Sequence, residues 1–248
     1  MNFLIFLYAL LLGSFYNVVG LRVPVHQSIV SPRSACPGCG RTLSVMELIP
    51  VFSYLIQLGK CRHCKKRISP IYPMMELLTA SLFLFAYMKL GWTFDLLIAW
   101  TLISLLVIIS VSDITYMLIP DKILLVFAGI FIAARVVQPL TPWWDSLLGG
   151  IVIFAILLGI AVITKGGIGG GDIKLYALLG VLLGFKVVLL SFFLANIFGA
   201  IIGLTGMAIG IFERKKPIPF GPFIAIGALI AYFYHQSLFA WYGSFFNF

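Results

Sequence analysis

Residues 94–113 read FDLLIAWTLISLLVIISVSD, and the fold turns on how this stretch is solvated. Between Asp95 and Asp113 lie 17 residues without a charge, and their only strongly polar groups are Ser and Thr hydroxyls. A bilayer core of ~30 Å asks for a helix of roughly 20 apolar residues, which is the length found here. Backbone in lipid must satisfy its own hydrogen bonds, and the run is too long and too evenly apolar for a barrel strand. A transmembrane helix is therefore required.

Comparable runs recur on both sides of this one. Reading them in order predicts eight helices near 3–21, 73–91, 94–112, 122–138, 146–164, 173–185, 187–212 and 219–240, an all-α polytopic membrane protein. The composition agrees: the 248 residues are 62% hydrophobic and 10% charged, where a soluble domain carries roughly 25% charge. The run Phe3 to Leu21 has no basic residue before it and no small-residue cleavage pattern after it, so it reads as a retained first helix rather than a removable signal.

The net charge of +9 would suit a nucleic-acid binder, but its distribution has a topological explanation. Eight crossings place residues 22–72, 113–122, 165–174 and 213–218 on one side, with 14 of the 17 Lys and Arg residues, among them Arg214, Lys215 and Lys216. Lys89, Arg135 and Lys186 are the three on the other. By the positive-inside rule the rich side is cytoplasmic and both termini face outward. The expected organisation is a first helix at 1–21, a cytoplasmic insertion at 22–72, and a seven-helix membrane domain at 73–248. The lipid bilayer is the principal partner, and no nucleic acid is expected.

Three acidic residues fall at helix ends on the basic side, where an ionisable group needs a reason. Asp121 follows Pro120 and precedes an apolar run, an N-cap position. Asp95 and Asp145 open helices in the same way. Asp113 lies at the C-terminal end of its helix, where the dipole disfavours a carboxylate. It is either solvated at the interface or kept for chemistry. Asp172 could cap the sixth helix, but it follows Gly166-Gly167-Ile168-Gly169-Gly170-Gly171, bare backbone of the kind that lets an extended peptide approach. Should Asp113 and Asp172 converge, the two carboxyls cannot both ionise cheaply and would share a proton, the arrangement of an aspartic protease. The ionised member would then take a proton from a water while the other donates to the peptide carbonyl.

All four cysteines lie in the insertion, as Cys36-Pro37-Gly38-Cys39 and Cys61-Arg62-His63-Cys64, spaced Cys-x2-Cys-x21-Cys-x2-Cys. In a cytosolic setting this pattern predicts four thiolates around a structural zinc ion rather than disulfides. Four thiolates close the coordination sphere, so His63 is expected to be a solvated neighbour. Such a site would staple a segment of about fifty residues that is too small to hold a good core by itself.

Gly169-Gly170-Gly171-Asp172 resembles the GxGD signature shared by prepilin peptidases and presenilin-like intramembrane proteases. The stretch from Asp113 through Ile119-Pro120-Asp121 is similar to the Asp-x6-Pro-Asp stretch of the prepilin peptidases. Further resemblance lies in Gly13-Ser14-Phe15-Tyr16-Asn17, in Ile49-Pro50-Val51-Phe52-Ser53-Tyr54-Leu55, in Ile68-Ser69-Pro70-Ile71-Tyr72-Pro73 and in Glu76-Leu77-Leu78-Thr79-Ala80. It spans essentially the whole chain, and the short loops look most like competence-type members.

The resemblance implies a bifunctional enzyme of the bacterial cell membrane. It would cut basic leaders from prepilins or pseudopilins and then methylate the new N-terminus with S-adenosylmethionine. It also implies that Asp113 and Asp172 are catalytic, that Asp121 is not, and that Glu47, Gly59 and Lys60 belong to methyl transfer. Two departures fall in the insertion: Val45-Met46-Glu47-Leu48 replaces an aromatic-rich stretch, and Ile71 stands where the family has Arg. Two other readings use the same residues, a GxGD protease with other substrates and a proton-coupled transporter whose aspartates relay protons.

Overall fold

The computed structural model describes residues 1–210 and 218–246, so Arg214, Lys215 and Lys216 lie outside the described residues. Eight long helices stand where the apolar runs place them: α1 (Asn2–Arg22), α3 (Ile71–Leu90), α4 (Phe94–Tyr116), α5 (Asp121–Val137), α6 (Asp145–Ile163), α7 (Gly170–Leu183), α8 (Phe185–Ala208) and α9 (Gly221–Phe246). A short helix, α2 (Phe52–Ile56), and a single 3-10 turn (Val45–Leu48) belong to the segment between α1 and α3. Among the described residues there is no strand, only two isolated antiparallel bridges, Ala35 with Thr42 and Lys60 with Arg67.

Six of the long helices are long and apolar enough to cross a membrane, which makes this a multi-pass membrane protein. The two that fall short are α5, with 17 residues, and α7, with 14. At 1.5 Å per residue α7 reaches about 21 Å, well under the ~30 Å core. Its C-terminal limit is Gly184, whose φ of +80° turns the chain directly into α8 without a loop.

The chain divides into two compact units, Met1–Thr115 and Tyr116–Phe248. In the first, α1 and α3 approach closely because Gly13 has no side chain. A Cβ there would stand 2.9 Å from the Glu76 Cα and 3.1 Å from the Thr79 hydroxyl. Gly20 plays the same part against α4, where a Cβ would lie 2.9 Å from the Ile108 carbonyl. Apolar surface offers no driving force between helices in lipid, so close backbone packing takes over. Hydrogen bonds and rings supplement it. The Tyr16 hydroxyl meets Ser104 Oγ at 2.6 Å, and Trp100 stacks on Phe83 while its Nε1 donates to the Phe83 carbonyl at 3.1 Å.

The second unit repeats the device. A Cβ on Gly180 of α7 would meet the Gly149 carbonyl of α6 at 2.4 Å, and one on Gly227 of α9 would meet the Ser191 carbonyl of α8 at 2.5 Å. Polar side chains complete the helix ends. Arg135 Nε donates to the Leu182 carbonyl at 2.8 Å, and Asp145 accepts from the Phe185 amide at 3.3 Å. Asp145 therefore serves the start of α8 as well as its own first turn.

Candidate functional site

The segment between α1 and α3 is built around two matching knuckles. In the first, Cys36 N–H donates to the Arg41 carbonyl and Gly40 N–H to the Cys36 carbonyl, both at 2.9 Å. In the second, Cys61 N–H donates to the Lys66 carbonyl at 2.9 Å and Lys65 N–H to the Cys61 carbonyl at 3.0 Å. The equivalent residues just after the second cysteine of each, Gly40 and Lys65, have φ of +70° and +59°. The same loop is thus made twice, once with glycine and once with a lysine held in the left-handed region. Lys66 of the second knuckle lies across Gly38 of the first, where a Cβ would be 2.5 Å from its Cδ.

The four sulfurs converge to within 4.8 Å of one another, an arrangement that can hold a metal ion. Cys36 Sγ and Cys64 Sγ are 3.7 Å apart, and Gly38 N–H points at Cys36 Sγ at 3.4 Å. Amides of Gly38 and Cys39 draw the Cys36 thiol down to about 6. Amides of Cys64 and His63 lower Cys61. Cys64 goes the other way: the Lys66 amide lowers it, but burial and the three neighbouring sulfurs push it up to about 11. The opposite shifts follow from the crowding of four sulfurs, since an anionic sulfur disfavours a second one beside it.

Of the three residues linked to methyl transfer by resemblance, Gly59 and Lys60 fall together. They line a cleft of about 600 Å³ with Tyr54, Leu58, Arg67, Ile68, Ser69 and Pro70. Gly59 has φ +66° and lies under the Tyr54 ring, where a Cβ would meet the phenol oxygen at 2.9 Å. Tyr54, from the stretch 49–55, and Arg67 of the second knuckle thus face the same space. Glu47 is not among the residues that line the cleft. It is buried, and its carboxylate accepts from the Ser44 amide and hydroxyl, each at 3.0 Å, and from Arg41 Nη2. These contacts, the Ser44 amide foremost, hold its carboxyl below the usual range. The arrangement is a capping box, and the signal was in the sequence as Ser44-x-x-Glu47.

Asp121 is not the N-cap residue expected from the sequence, because Pro120 holds that position, and Asp145 likewise lies one residue inside its helix, after Trp144. Asp121 sits in the first turn of α5, where the dipole favours it, and both its oxygens accept from Lys174 Nζ at 2.8 Å. Asp113 is followed by three further residues of α4 and is 7% exposed, so a merely solvated carboxylate is not what stands there. Asp172 is half-buried in the first turn of α7.

The glycine run is less a loop than expected, since Gly170 and Gly171 already belong to α7. Only Gly166 of the run has a positive φ, +99°. The others act by closeness. A Cβ on Gly169 would lie 3.0 Å from Asp172 Oδ2, and one on Gly171 would lie 2.8 Å from the Ile119 Cβ. The carboxylate of Asp172 thus folds back over Gly169, and the first turn of α7 seats on the residue before Pro120.

Residues 7–90 match the bacterial peptidase A24 N-terminal domain, and residues 100–204 match the type IV leader peptidase family. A protein of Bacillus subtilis named prepilin leader peptidase/N-methyltransferase is 46% identical over 96% of both chains. Relatives of the same name in Aeromonas salmonicida and Pseudomonas aeruginosa are each 33% identical, covering 96% and 91% of this chain and 92% and 87% of theirs. The chain belongs to the type IV leader peptidase family. No solved structure matches it significantly.

Proposed function

We propose that this protein is a prepilin leader peptidase that also methylates the N-terminus it exposes. The observation that carries the reading is membership of the family over nearly the whole chain, with a buried Asp113 and a glycine-seated Asp172 as its acids. Neither the transporter nor the protease with unrelated substrates draws support from relatives that share one name.

Asp113 and Asp172 form the catalytic pair. The reading is supported by the resemblance of both aspartate stretches to those of the prepilin peptidases and by the positive charges that gather on their side of the membrane. One carboxylate takes a proton from water, and the resulting hydroxide equivalent adds to the scissile carbonyl carbon. The other carboxyl gives its proton to the carbonyl oxygen. Collapse of the tetrahedral adduct breaks the C–N bond, with proton return to the leaving amine. The same face is cytoplasmic, as the Lys and Arg bias indicates, in the bacterial cell membrane.

The segment 22–72 carries methyl transfer, and residues 73–248 carry proteolysis. Cys36, Cys39, Cys61 and Cys64 would hold Zn2+, whose preference for four thiolates suits sulfurs that all lie within 4.8 Å of one another. Bound there, the ion would cross-link the segment. S-adenosylmethionine supplies the methyl group, and the cleft at Gly59 and Lys60 has the volume of a small-ligand site. Glu47 serves this half by holding the first knuckle through Arg41.

Incubating the purified protein with a prepilin and S-adenosylmethionine and weighing the products tests both halves. The expected product lacks its leader and has gained one methyl group. An uncut prepilin refutes the peptidase, and a cut but unmethylated one refutes the second activity.

A further inference from the structure

We propose that Glu76 is a positioning residue for methyl transfer, holding a strained turn at Val51 and through it the wall of the cleft. The proposal rests on the reading that the segment between α1 and α3 carries that activity.

Val51 has φ +61° and ψ −54°, backbone angles that a β-branched residue avoids. Phe52 N–H donates to the Pro50 carbonyl at 2.6 Å, so Pro50-Val51-Phe52 is a three-residue γ-turn of the rare, strained hand. Such a conformation persists only where its surroundings over-determine it. The Val51 N–H donates to Glu76 Oε2 at 2.8 Å. Glu76 is itself 7% exposed, one turn into α3, with Gly13 of α1 pressed against its Cα and the Ser14 side chain beside its carboxylate. A carboxylate at that depth is costly without a donor. The turn and the acid therefore stabilise one another, and neither has a reason to be there alone. If packing were all this position required, leucine would serve.

The path from the turn to the cleft is short. Val51 is the N-cap of α2, a five-residue helix too brief to form without support at its ends. Tyr54 of α2 accepts through its carbonyl from Gly59 N–H at 2.9 Å and lays its ring over Gly59. Gly59 in turn accepts from Ile68 N–H at 2.8 Å, and Lys60 bridges to Arg67. Tyr54, Gly59, Lys60 and Arg67 are all cleft residues. Releasing Val51 frees the start of α2 and with it the Tyr54 wall.

The test uses the full chain in detergent with four proteins: wild type, Glu76→Ala, Glu76→Gln and the double variant Glu76→Ala with Val51→Gly. Glu76→Ala is expected to raise the KM for S-adenosylmethionine about tenfold while leader cleavage stays within about twofold. Glu76→Gln keeps an acceptor oxygen and restores methylation to within a few-fold. Glycine at 51 takes the positive φ without strain, so the double variant recovers most of the loss. Amide hydrogen exchange across 49–58 is expected to rise at least about tenfold in Glu76→Ala and to return in the other two. Unchanged exchange in Glu76→Ala, or no recovery with Val51→Gly, overturns the proposal. The exchange measurement stands whether or not the wild type methylates, so a failure of the methyl-transfer reading shows separately, in the wild-type product mass.

Discussion

The segment between α1 and α3 and the helices that follow it are held by opposite means. In the segment, backbone hydrogen bonds close loops a few residues long, four thiols gather within 4.8 Å, and residues such as Val51 and Lys65 are kept in conformations they would not choose. In the helices, glycines let backbone meet backbone, as at Gly149 and Gly180. The first construction needs a cross-link and fails locally. The second spreads its stability over many backbone contacts along the helices. The comparison teaches that the two activities should be separable.

The largest expected effect tests that separation at the acids. Asp113→Asn and Asp172→Asn should each lower leader cleavage by at least about a thousandfold, since one loses the proton acceptor and the other the donor. Both should still insert and retain the thiol cluster, checked by detergent-solubilised yield and by metal content. Normal cleavage by either variant removes the dyad. Next in size, Cys36→Ser removes one of the four converging sulfurs, the one that accepts the Gly38 amide. Metal content should fall, and methylation should drop about tenfold or more, with cleavage little changed. Equal loss of both activities in a well-inserted variant would show that the two halves are one site.

How much of this was legible beforehand depends on the range of the interaction. Long apolar runs placed all eight helices, because lipid imposes one solution on a backbone. The cysteine spacing announced its cluster for a similar reason, since few geometries satisfy Cys-x2-Cys twice. The break at Gly184 was faintly visible, yet its φ of +80° was not. What could not be read was anything set by a distant partner. Asp121 reads as a cap, and only Lys174, 53 residues away, shows it as half of an ion pair. Glu47 belongs to a capping box whose Ser44-x-x-Glu47 spacing is local and therefore readable in the sequence. The strain at Val51 has no sequence signal at all, because no propensity favours valine there.

Glycine contacts give the next test, and it concerns stability. Gly180→Ala places a methyl 2.4 Å from the Gly149 carbonyl, backbone that cannot turn aside. Pushing α6 and α7 apart should cost about 1–3 kcal/mol and lower the thermal midpoint. Gly159→Ala, in the same α6 but with nothing within 4 Å of its Cβ, is the control. There the helix should gain about 0.5–1 kcal/mol from the loss of glycine's backbone freedom. Similar midpoints for the two variants would mean that close helix approach is not what holds this unit.

The smallest effect is expected at Asp121, and its smallness is informative. Its partner Lys174 is exposed, with side-chain exposures of 53% for the lysine and 61% for the aspartate. Exposed pairs of this kind contribute about 0–1 kcal/mol. Asp121 nevertheless sits between the two acids in sequence, eight residues beyond Asp113 and joined to the residue two beyond Asp172. If nearness along the chain were enough to make an aspartate catalytic, Asp121→Asn would be as damaging as Asp113→Asn. If burial and seating decide, it should cut leaders within about twofold of wild type. Measuring the two variants side by side on one prepilin separates an acid that ties down a helix start from an acid that does chemistry.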